Sequence, residues 1–237
     1  MMSHPLFFVP DALTDKTVIQ LNEENSKHAI QVLRLKQGDF IELTDGKGHW
    51  AKAVITQEHR KQCQVQIQDL QQLPRAPRQI TLAISLLKNR NRFEWLLEKV
   101  TELGVARIIP LLCERTEKES ARVERMQAIL QSALLQSKQV WLPELTAPQP
   151  FLSIQNWKLK EGDAFIATCD SIHKQSLTSL ALTSQKNTLV CIGPEGDFTE
   201  QEVALAMTNG FKPVSLGSTR LRTETAGVVA VSLLACH

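Results

Sequence analysis

The hydrophobic pattern of this 237-residue chain changes its period near residue 75, and this change constrains the fold more than any other feature. Before it, apolar and polar residues alternate, which is the period of half-buried β-strands. From Ile80 onward, short apolar runs alternate with segments whose apolar residues recur every three or four positions. The pattern predicts an α/β protein with a β-rich domain over residues 1–73 and a second domain over residues 74–237.

The first domain carries a hairpin signal. Alternating segments 40–44 and 50–55 flank an Asp-Gly pair, and this arrangement is typical of two strands joined by a tight turn. A third alternating segment, 63–68, is suited to pair with them. Residues 26–35 have helical spacing of their apolar residues and predict a short helix. A small barrel with one helix is the expected result.

The second domain alternates between predicted strands and predicted helices. The strands are expected at 80–87, 108–112, 164–168, 188–192 and 213–216, and the helices at 92–104, 123–136, 199–209 and 225–235. Such alternation is typical of a mostly parallel sheet covered by helices on both faces. Ligands bind such sheets at the carboxyl ends of the strands, so the loops there are the candidate site.

Two of these loops stand out. The first, Gly-Pro-Glu-Gly at 193–196, precedes a helix whose Thr199 and Glu202 have capping-box spacing, and its glycines leave room for a ligand close to the backbone. The second, 216–226, holds two arginines and one carboxylate and leads into a helix that Thr223 could cap. Together they would border one cleft; plain strand-to-helix turns with solvated charges are the alternative.

The net charge of +2 at pH 7, from 27 Lys and Arg against 25 Asp and Glu, gives no general signal for nucleic-acid binding. A local excess exists, however, because no acidic residue interrupts Arg75, Arg78, Lys88, Arg90 and Arg92. Cations at the start of a helix oppose its dipole, which favours contact with phosphates over a structural role. A solvated helix start is the alternative.

Several function classes are excluded by what the sequence lacks. The five cysteines are far apart and do not have the spacing of a zinc site, so we expect reduced thiols, a cytoplasmic protein and no metal. No run approaches 18 apolar residues, so no membrane span is expected. A Gly-x-Ser-x-Gly nucleophile elbow is also absent.

Several segments match one known family, in order and over nearly the whole chain. They are Ile192–Gly196, Leu216-Gly217, Leu221–Ala226, His28–Gly38, Arg92–Val105, Ile109–Arg115, Gln136-Ser137 and Pro143-Glu144. On these motifs the chain resembles the 16S rRNA uracil-N3 methyltransferases of the SPOUT class. The resemblance implies an N-terminal PUA-like β-barrel and a C-terminal SPOUT α/β domain with a deep trefoil knot.

The resemblance also implies S-adenosylmethionine as the cofactor, with S-adenosylhomocysteine as its product, in a cleft between three loops. By position, the first loop is 168–170. The implied cofactor-binding residues are Thr168, Cys169, Ile192, Gly193, Pro194, Glu195, Gly196, Leu216, Gly217, Leu221, Thr223, Thr225 and Ala226.

Three residues are candidates for catalysis. Arg222 would stabilise negative charge on the uracil or orient it, and Glu224 or Glu195 would accept the N3 proton. Capping a helix or holding backbone amides is the alternative for either glutamate. N3 lies on the Watson–Crick edge, so the target base must be unpaired or flipped out. The cations expected to bind the RNA substrate are Arg34, Lys88, Arg90, Arg92, Arg115 and Arg220.

The expected activity is methylation of N3 of a specific uridine in the 16S rRNA of the small ribosomal subunit by a homodimer. The alternatives are a SPOUT methyltransferase for another RNA, such as tRNA, and a non-catalytic RNA-binding or ribosome-assembly protein. The chain departs from the family pattern at Asp197, where a glycine is usual, at Thr219 and Arg220, where an arginine and an aliphatic residue are usual, and at Gln139, a commonly basic position.

Overall fold

The computed structural model describes residues 4–11, 13–15, 17–117, 122–157, 162–169, 174–183 and 186–236. The chain folds into two compact units, Met1–Arg75 with Leu134–Leu142, and Ala76–Ala133 with Pro143–His237. The domain boundary after residue 73 stays a prediction. The predicted first domain does not contain the Leu134–Leu142 segment. That segment joins the first unit through a long-range β-bridge between Trp141 and Lys47, for which local sequence carries no signal.

The first unit is built on a five-stranded sheet. Its strands are β1 (Leu6–Phe8), β2 (Val18–Gln20), β3 (Phe40–Thr44), β4 (His49–Gln57) and β5 (Gln64–Gln72), in the order β1-β3-β4-β5-β2. The predicted hairpin is β3 and β4, paired antiparallel from Phe40 opposite Val54 to Thr44 opposite Trp50. β5 pairs antiparallel with β4, as the alternation predicted. Alternate residues of these strands point into one apolar core.

The helix predicted at 26–35 is wrong in its bounds and in part of its type. An α-helix, α1, spans Glu23–Lys27 and continues as a π-helical turn at His28–Val32. It begins earlier because the Asn22 side chain accepts a hydrogen bond from the Asn25 amide and so caps it. It ends before Arg34, whose φ of 56° is left-handed.

The second unit contains a parallel sheet, as predicted. Its strands are β6 (Ile80–Ser85), β7 (Arg107–Leu112), β8 (Glu144–Leu145), β9 (Gln149–Pro150), β10 (Gly162–Ala167), β11 (Gln175–Ser176), β12 (Asn187–Ile192) and β13 (Lys212–Ser215). Their order is β11-β13-β10-β12-β6-β7-β8, with β9 also paired to β7. Every residue of β6 is buried, as expected for a strand covered on both faces.

Helices connect these strands. They are α2 (Arg90–Glu102), α3 (Val123–Gln136), a 3-10 helix (Phe151–Asn156), α4 (Leu177–Thr183), α5 (Glu200–Thr208) and α6 (Thr223–Ala235). The predicted capping box of α5 is present, with Thr199 and Glu202 bonded reciprocally. The predicted cap of α6 is wrong, because Thr223 is already helical and Arg222 occupies the cap position without a side-chain cap bond. None of the described helices is long and apolar enough to cross a membrane.

α6 packs on the central strand β6 and on α2. A Cβ atom at Gly227 would lie 2.7 Å from Ile84 and 2.8 Å from Leu96, so the absence of a side chain permits this close approach. Arg78 holds the far end of α6, since its guanidinium donates to the backbone carbonyls of Leu234 and Ala181, each at 2.9 Å. Arg78 is therefore buried and structural, which corrects the prediction that it belongs to a phosphate-binding block.

We expect the Arg78→Met variant to lower the free energy of unfolding by about 2–4 kcal/mol, because two helix carbonyls lose a buried charged donor. Arg125→Met is the matched control, because Arg125 forms an exposed ion pair with Glu94 at 3.0 Å. Its loss should cost less than about 1 kcal/mol. Urea unfolding followed by circular dichroism measures both, and equal changes would contradict the role given to Arg78.

Candidate functional site

The candidate site is a cleft at one edge of the parallel sheet. β13, β10 and β12 are neighbours in the sheet, so the loops that leave their carboxyl ends lie side by side. These loops border a cavity of about 580 Å³. That volume lies within the range of roughly 300–1,000 Å³ that is usual for small-molecule sites.

Most of the residues predicted to bind a cofactor line this cleft. They are Thr168, Cys169, Ile192, Gly193, Pro194, Glu195, Leu216, Gly217, Leu221, Thr223 and Ala226. Gly196 and Thr225 do not line it, and Asp170 lies outside the described residues. Sequence reasoning missed Lys174, which lines the cleft and donates from Nζ to the Thr168 carbonyl at 3.0 Å.

The 193–196 loop is held in place from several sides. A Cβ atom at Gly193 would lie 3.1 Å from the Phe198 amide, so this position is closely packed. The Arg115 guanidinium donates to the Gly196 carbonyl at 2.6 Å, and Arg220 donates to the Glu195 carbonyl at 3.5 Å. Both guanidinium groups therefore contact the backbone of the loop.

A buried carboxylate connects this region to the turn that follows β7. Glu202 is 6% exposed and accepts hydrogen bonds from the amides of Thr199 and Glu114, each at 2.9 Å. The capping box of α5 thus also fixes the turn that follows β7. Next to that turn, burial raises the pKa of the Cys113 thiol to about 12, so this cysteine is not a nucleophile.

Asp197 connects two of the loops that border the cleft. Its Oδ2 accepts hydrogen bonds from the Cys169 amide at 2.7 Å and from the Thr168 hydroxyl at 3.2 Å. Its Oδ1 accepts from the Phe198 amide at 2.8 Å. Partial burial of its thiol raises the pKa of Cys169, and the charge of Asp197 raises it further, which keeps this thiol protonated.

The three catalytic candidates lie in different environments. Arg222 is exposed and lines the cleft, and its guanidinium has no hydrogen bond or ion pair among the described residues. Glu195 is exposed and also lines the cleft. Glu224 does not line it: this carboxylate is 6% exposed and its Oε1 lies 3.6 Å from Nε of Arg92. The structure brings Arg222 and Glu195 to one cavity and directs Glu224 toward α2.

The cations expected to bind RNA differ in how they are engaged. Lys88 forms an exposed ion pair with Glu117 at 2.7 Å, and Arg92 contacts Glu224. Arg90 is exposed and has no ion pair within the described ranges, and Arg34 is exposed in the first unit. Exposed pairs contribute little to stability and are readily exchanged. RNA contact by all six cations stays a prediction, with Arg115 and Arg220 also supporting the loop.

The described residues contain no group of three or more His, Cys, Asp or Glu side chains that could hold a metal ion. The charged groups at the cleft are instead the carboxylates, the guanidinium groups and the Lys174 ammonium group described above. An organic ligand with its own polar groups is the kind of molecule that such a cavity accommodates.

Two family models match the chain. Residues 74–235 match the RNA methyltransferase domain, and residues 21–68 match the RNA methyltransferase PUA domain. The class of protein is therefore an RNA methyltransferase that carries a PUA domain. The predicted fold class, a PUA-like domain followed by a SPOUT-type α/β domain, is confirmed, and the trefoil knot stays a prediction.

Individual relatives narrow this class. A ribosomal RNA small subunit methyltransferase E from Synechocystis is 32% identical over 98% of this chain and 77% of its own length. The solved structure of a probable rRNA-methyltransferase from Porphyromonas gingivalis is 35% identical, with a TM-score of 0.88 over 98% of this chain and 99% of that one. The chain belongs to the ribosomal RNA small subunit methyltransferase E family, as the resemblance predicted.

A third relative was solved with a ligand. The ribosomal RNA small subunit methyltransferase E from Neisseria gonorrhoeae, bound to S-adenosyl methionine, is 30% identical. Its TM-score is 0.87 over 97% of this chain and 95% of that chain.

Proposed function

We propose that this chain methylates N3 of a uridine in the 16S rRNA of the small ribosomal subunit, in the cytoplasm, with S-adenosylmethionine as methyl donor. The observation that carries the proposal is the three-loop cleft, at whose wall the Arg222 guanidinium lies without a partner among the described residues. The family membership and the cofactor bound to the Neisseria relative support the same reaction.

The cleft suits such a cofactor. Its walls are the backbone ends of three parallel strands, which offer amide donors and carbonyl acceptors to the polar groups of a nucleoside and an amino acid. Gly217 lines the cleft with a φ of 150°, and a Cβ atom there would have no neighbour within 4 Å, so it would occupy open space. We propose that the residues at 168–169, 193–195 and 216–226 hold the cofactor.

The residues of the cleft have distinct parts in the reaction. Bound S-adenosylmethionine supplies an electrophilic methyl group. The uracil N3 proton must leave before N3 can attack. Glu195 accepts this proton, because Asp197, the other carboxylate of the cleft wall, is engaged by three protein donors. Arg222 donates hydrogen bonds to the uracil oxygens and stabilises the negative charge that develops there. Glu224 is less suited to be the base, because it does not line the cavity and its Oε1 lies 3.6 Å from Nε of Arg92.

Transfer of a labelled methyl group tests the proposal directly. With labelled S-adenosylmethionine, we expect label in the 16S rRNA of assembled small subunits or of naked rRNA, and 3-methyluridine after nuclease digestion. Bulk tRNA serves as the competing substrate. Label on tRNA alone would indicate another RNA target. Absence of label together with absence of cofactor binding in calorimetry would indicate a non-catalytic RNA-binding protein.

Arg222→Ala tests the assignment within the cleft. We expect the turnover number to fall by at least about a hundredfold, because a donor to the developing charge is lost. The dissociation constant for S-adenosylhomocysteine should change by less than about twofold, since Arg222 is proposed to contact the uracil and not the cofactor. Arg125→Ala, an exposed cation on α3, is the control. Full activity of Arg222→Ala would discard the assignment.

The proposed enzyme is a homodimer. α6 is apolar over most of its circumference, and its Val228, Val229 and Leu233 remain partly exposed in one copy of the chain. Trp95, on the neighbouring α2, is 45% exposed. A helix that is apolar on nearly every side is normally buried, so we propose that a second copy covers this face.

Val229→Glu should convert the dimer to a monomer in analytical ultracentrifugation, because an unpaired charge would be buried in the interface. Leu152→Glu is the matched control, because Leu152 is 71% exposed elsewhere in the same unit. A wild-type protein that sediments as a monomer at micromolar concentration would refute the dimer.

A further inference from the structure

We propose that Asp197 is a positioning residue that fixes the 168–169 loop to the 193–196 loop and thereby preorganises the cleft for its cofactor. The proposal deepens the proposed function and rests on it for the identity of the ligand. Asp197 is the position at which the resemblance described above implies a glycine.

The backbone conformation explains why a glycine would suit this position. Asp197 has a φ of 62°, in the left-handed region that side chains other than Asn and Asp rarely adopt. An aspartate tolerates this region better than most residues, yet it still carries more strain than a glycine. A compensating interaction of the side chain is therefore expected.

The side chain makes that interaction with three different donors. Oδ2 accepts from the Cys169 amide and the Thr168 hydroxyl, and Oδ1 accepts from the Phe198 amide. Thr168 and Cys169 lie just after β10, whereas Asp197 and Phe198 lie beyond β12. One carboxylate thus connects the exits of two adjacent strands, and hydrogen bonds to a charged acceptor are stronger than those to a neutral one.

Two cations lie close to the 168–169 loop. Lys174 and Arg220 line the same cleft, and their positive charges lie close enough to this loop to offset part of the rise in the Cys169 pKa that burial and Asp197 cause. Lys174 also donates to the Thr168 carbonyl from Nζ. The 168–169 loop is therefore held by a carboxylate at its amide and by an ammonium group at its carbonyl.

The consequence concerns binding more than chemistry. A loop that is ordered before the ligand arrives adds no ordering cost on binding. A variant whose loop is no longer ordered therefore binds the ligand more weakly. Asp197 is directed at backbone and hydroxyl groups of the protein and does not need to touch a reacting atom. We therefore expect it to affect the affinity for the cofactor and to leave the rate at saturation nearly unchanged.

Two variants of Asp197 and one matched control form the test. Asp197→Asn keeps the shape of the side chain and loses the charge and one acceptor, whereas Asp197→Gly removes all three bonds and relieves the strained backbone. Asp163→Asn is the control, because it removes a carboxylate at the opposite end of β10, where Asp163 pairs with Lys212. Calorimetry with S-adenosylhomocysteine and amide hydrogen exchange of the free protein are the two readouts.

For both Asp197 variants we expect about tenfold weaker binding of S-adenosylhomocysteine and at least about tenfold faster exchange at the Cys169 amide. The KM for S-adenosylmethionine should rise in parallel while kcat changes less than about twofold, and the Asp163→Asn protein should behave as wild type. Unchanged exchange and unchanged affinity in Asp197→Gly would overturn the proposal, as would equal effects in the control.

The two readouts separate this proposal from the proposed function. If wild-type protein binds no S-adenosylhomocysteine, the proposed function fails, and faster exchange at Cys169 would still show that Asp197 fixes the loop. If wild-type protein binds the cofactor and methylates rRNA while the Asp197 variants match it in both readouts, the proposed function stands and the positioning role is wrong.

Discussion

The parallel pairing of β10 with β12 and β13 is the constraint on which the candidate site depends. Parallel neighbours require crossover connections, so loops that meet at one edge of the sheet come from distant parts of the sequence. Here the loops after residues 167, 192 and 215 meet at the carboxyl edge and enclose the cleft. Hydrogen bonds between these strands pair the backbone N–H and C=O groups within each strand. The backbone groups that follow the end of a strand are then available for a ligand.

Charged side chains at this edge mostly hold backbone groups in place. Glu202 accepts from two amides, Arg115 donates to one carbonyl, and Asp197 accepts from the start of a neighbouring loop. Apart from the capping bond between Thr199 and Glu202, each interaction joins segments that are far apart in the chain. Each uses a charged group where a neutral hydrogen bond would be weaker. Arg222 differs from them because its guanidinium faces the cavity without a partner in the described part of the protein.

The sequence predicted the features whose signals are local. Periodicity predicted the hairpin of β3 and β4, and the capping box located the start of α5. The two-residue strands β8, β9 and β11 are too short to show a period and exist only through pairing. Glycines and charged residues indicated the loops of the site, but they did not predict the direction of each side chain. Glu224 lies two residues from Arg222, yet its carboxylate contacts Arg92 of α2 and does not line the cleft. The sequence around Lys174 does not indicate a site residue, because only the folding of the chain brings it beside Thr168.

The packing of α6 against β6 has a consequence for how the protein is made. β6 is the first strand of its unit to be translated, and α6, which covers it through Gly227, follows all the other elements of that unit. Until α6 has emerged, the apolar side chains of Ile84 and Leu96 lack their covering helix. A nascent chain that already contains every strand of the sheet therefore still lacks part of its core and one wall of its cleft. During synthesis, the second unit therefore cannot complete its core until α6 has been translated.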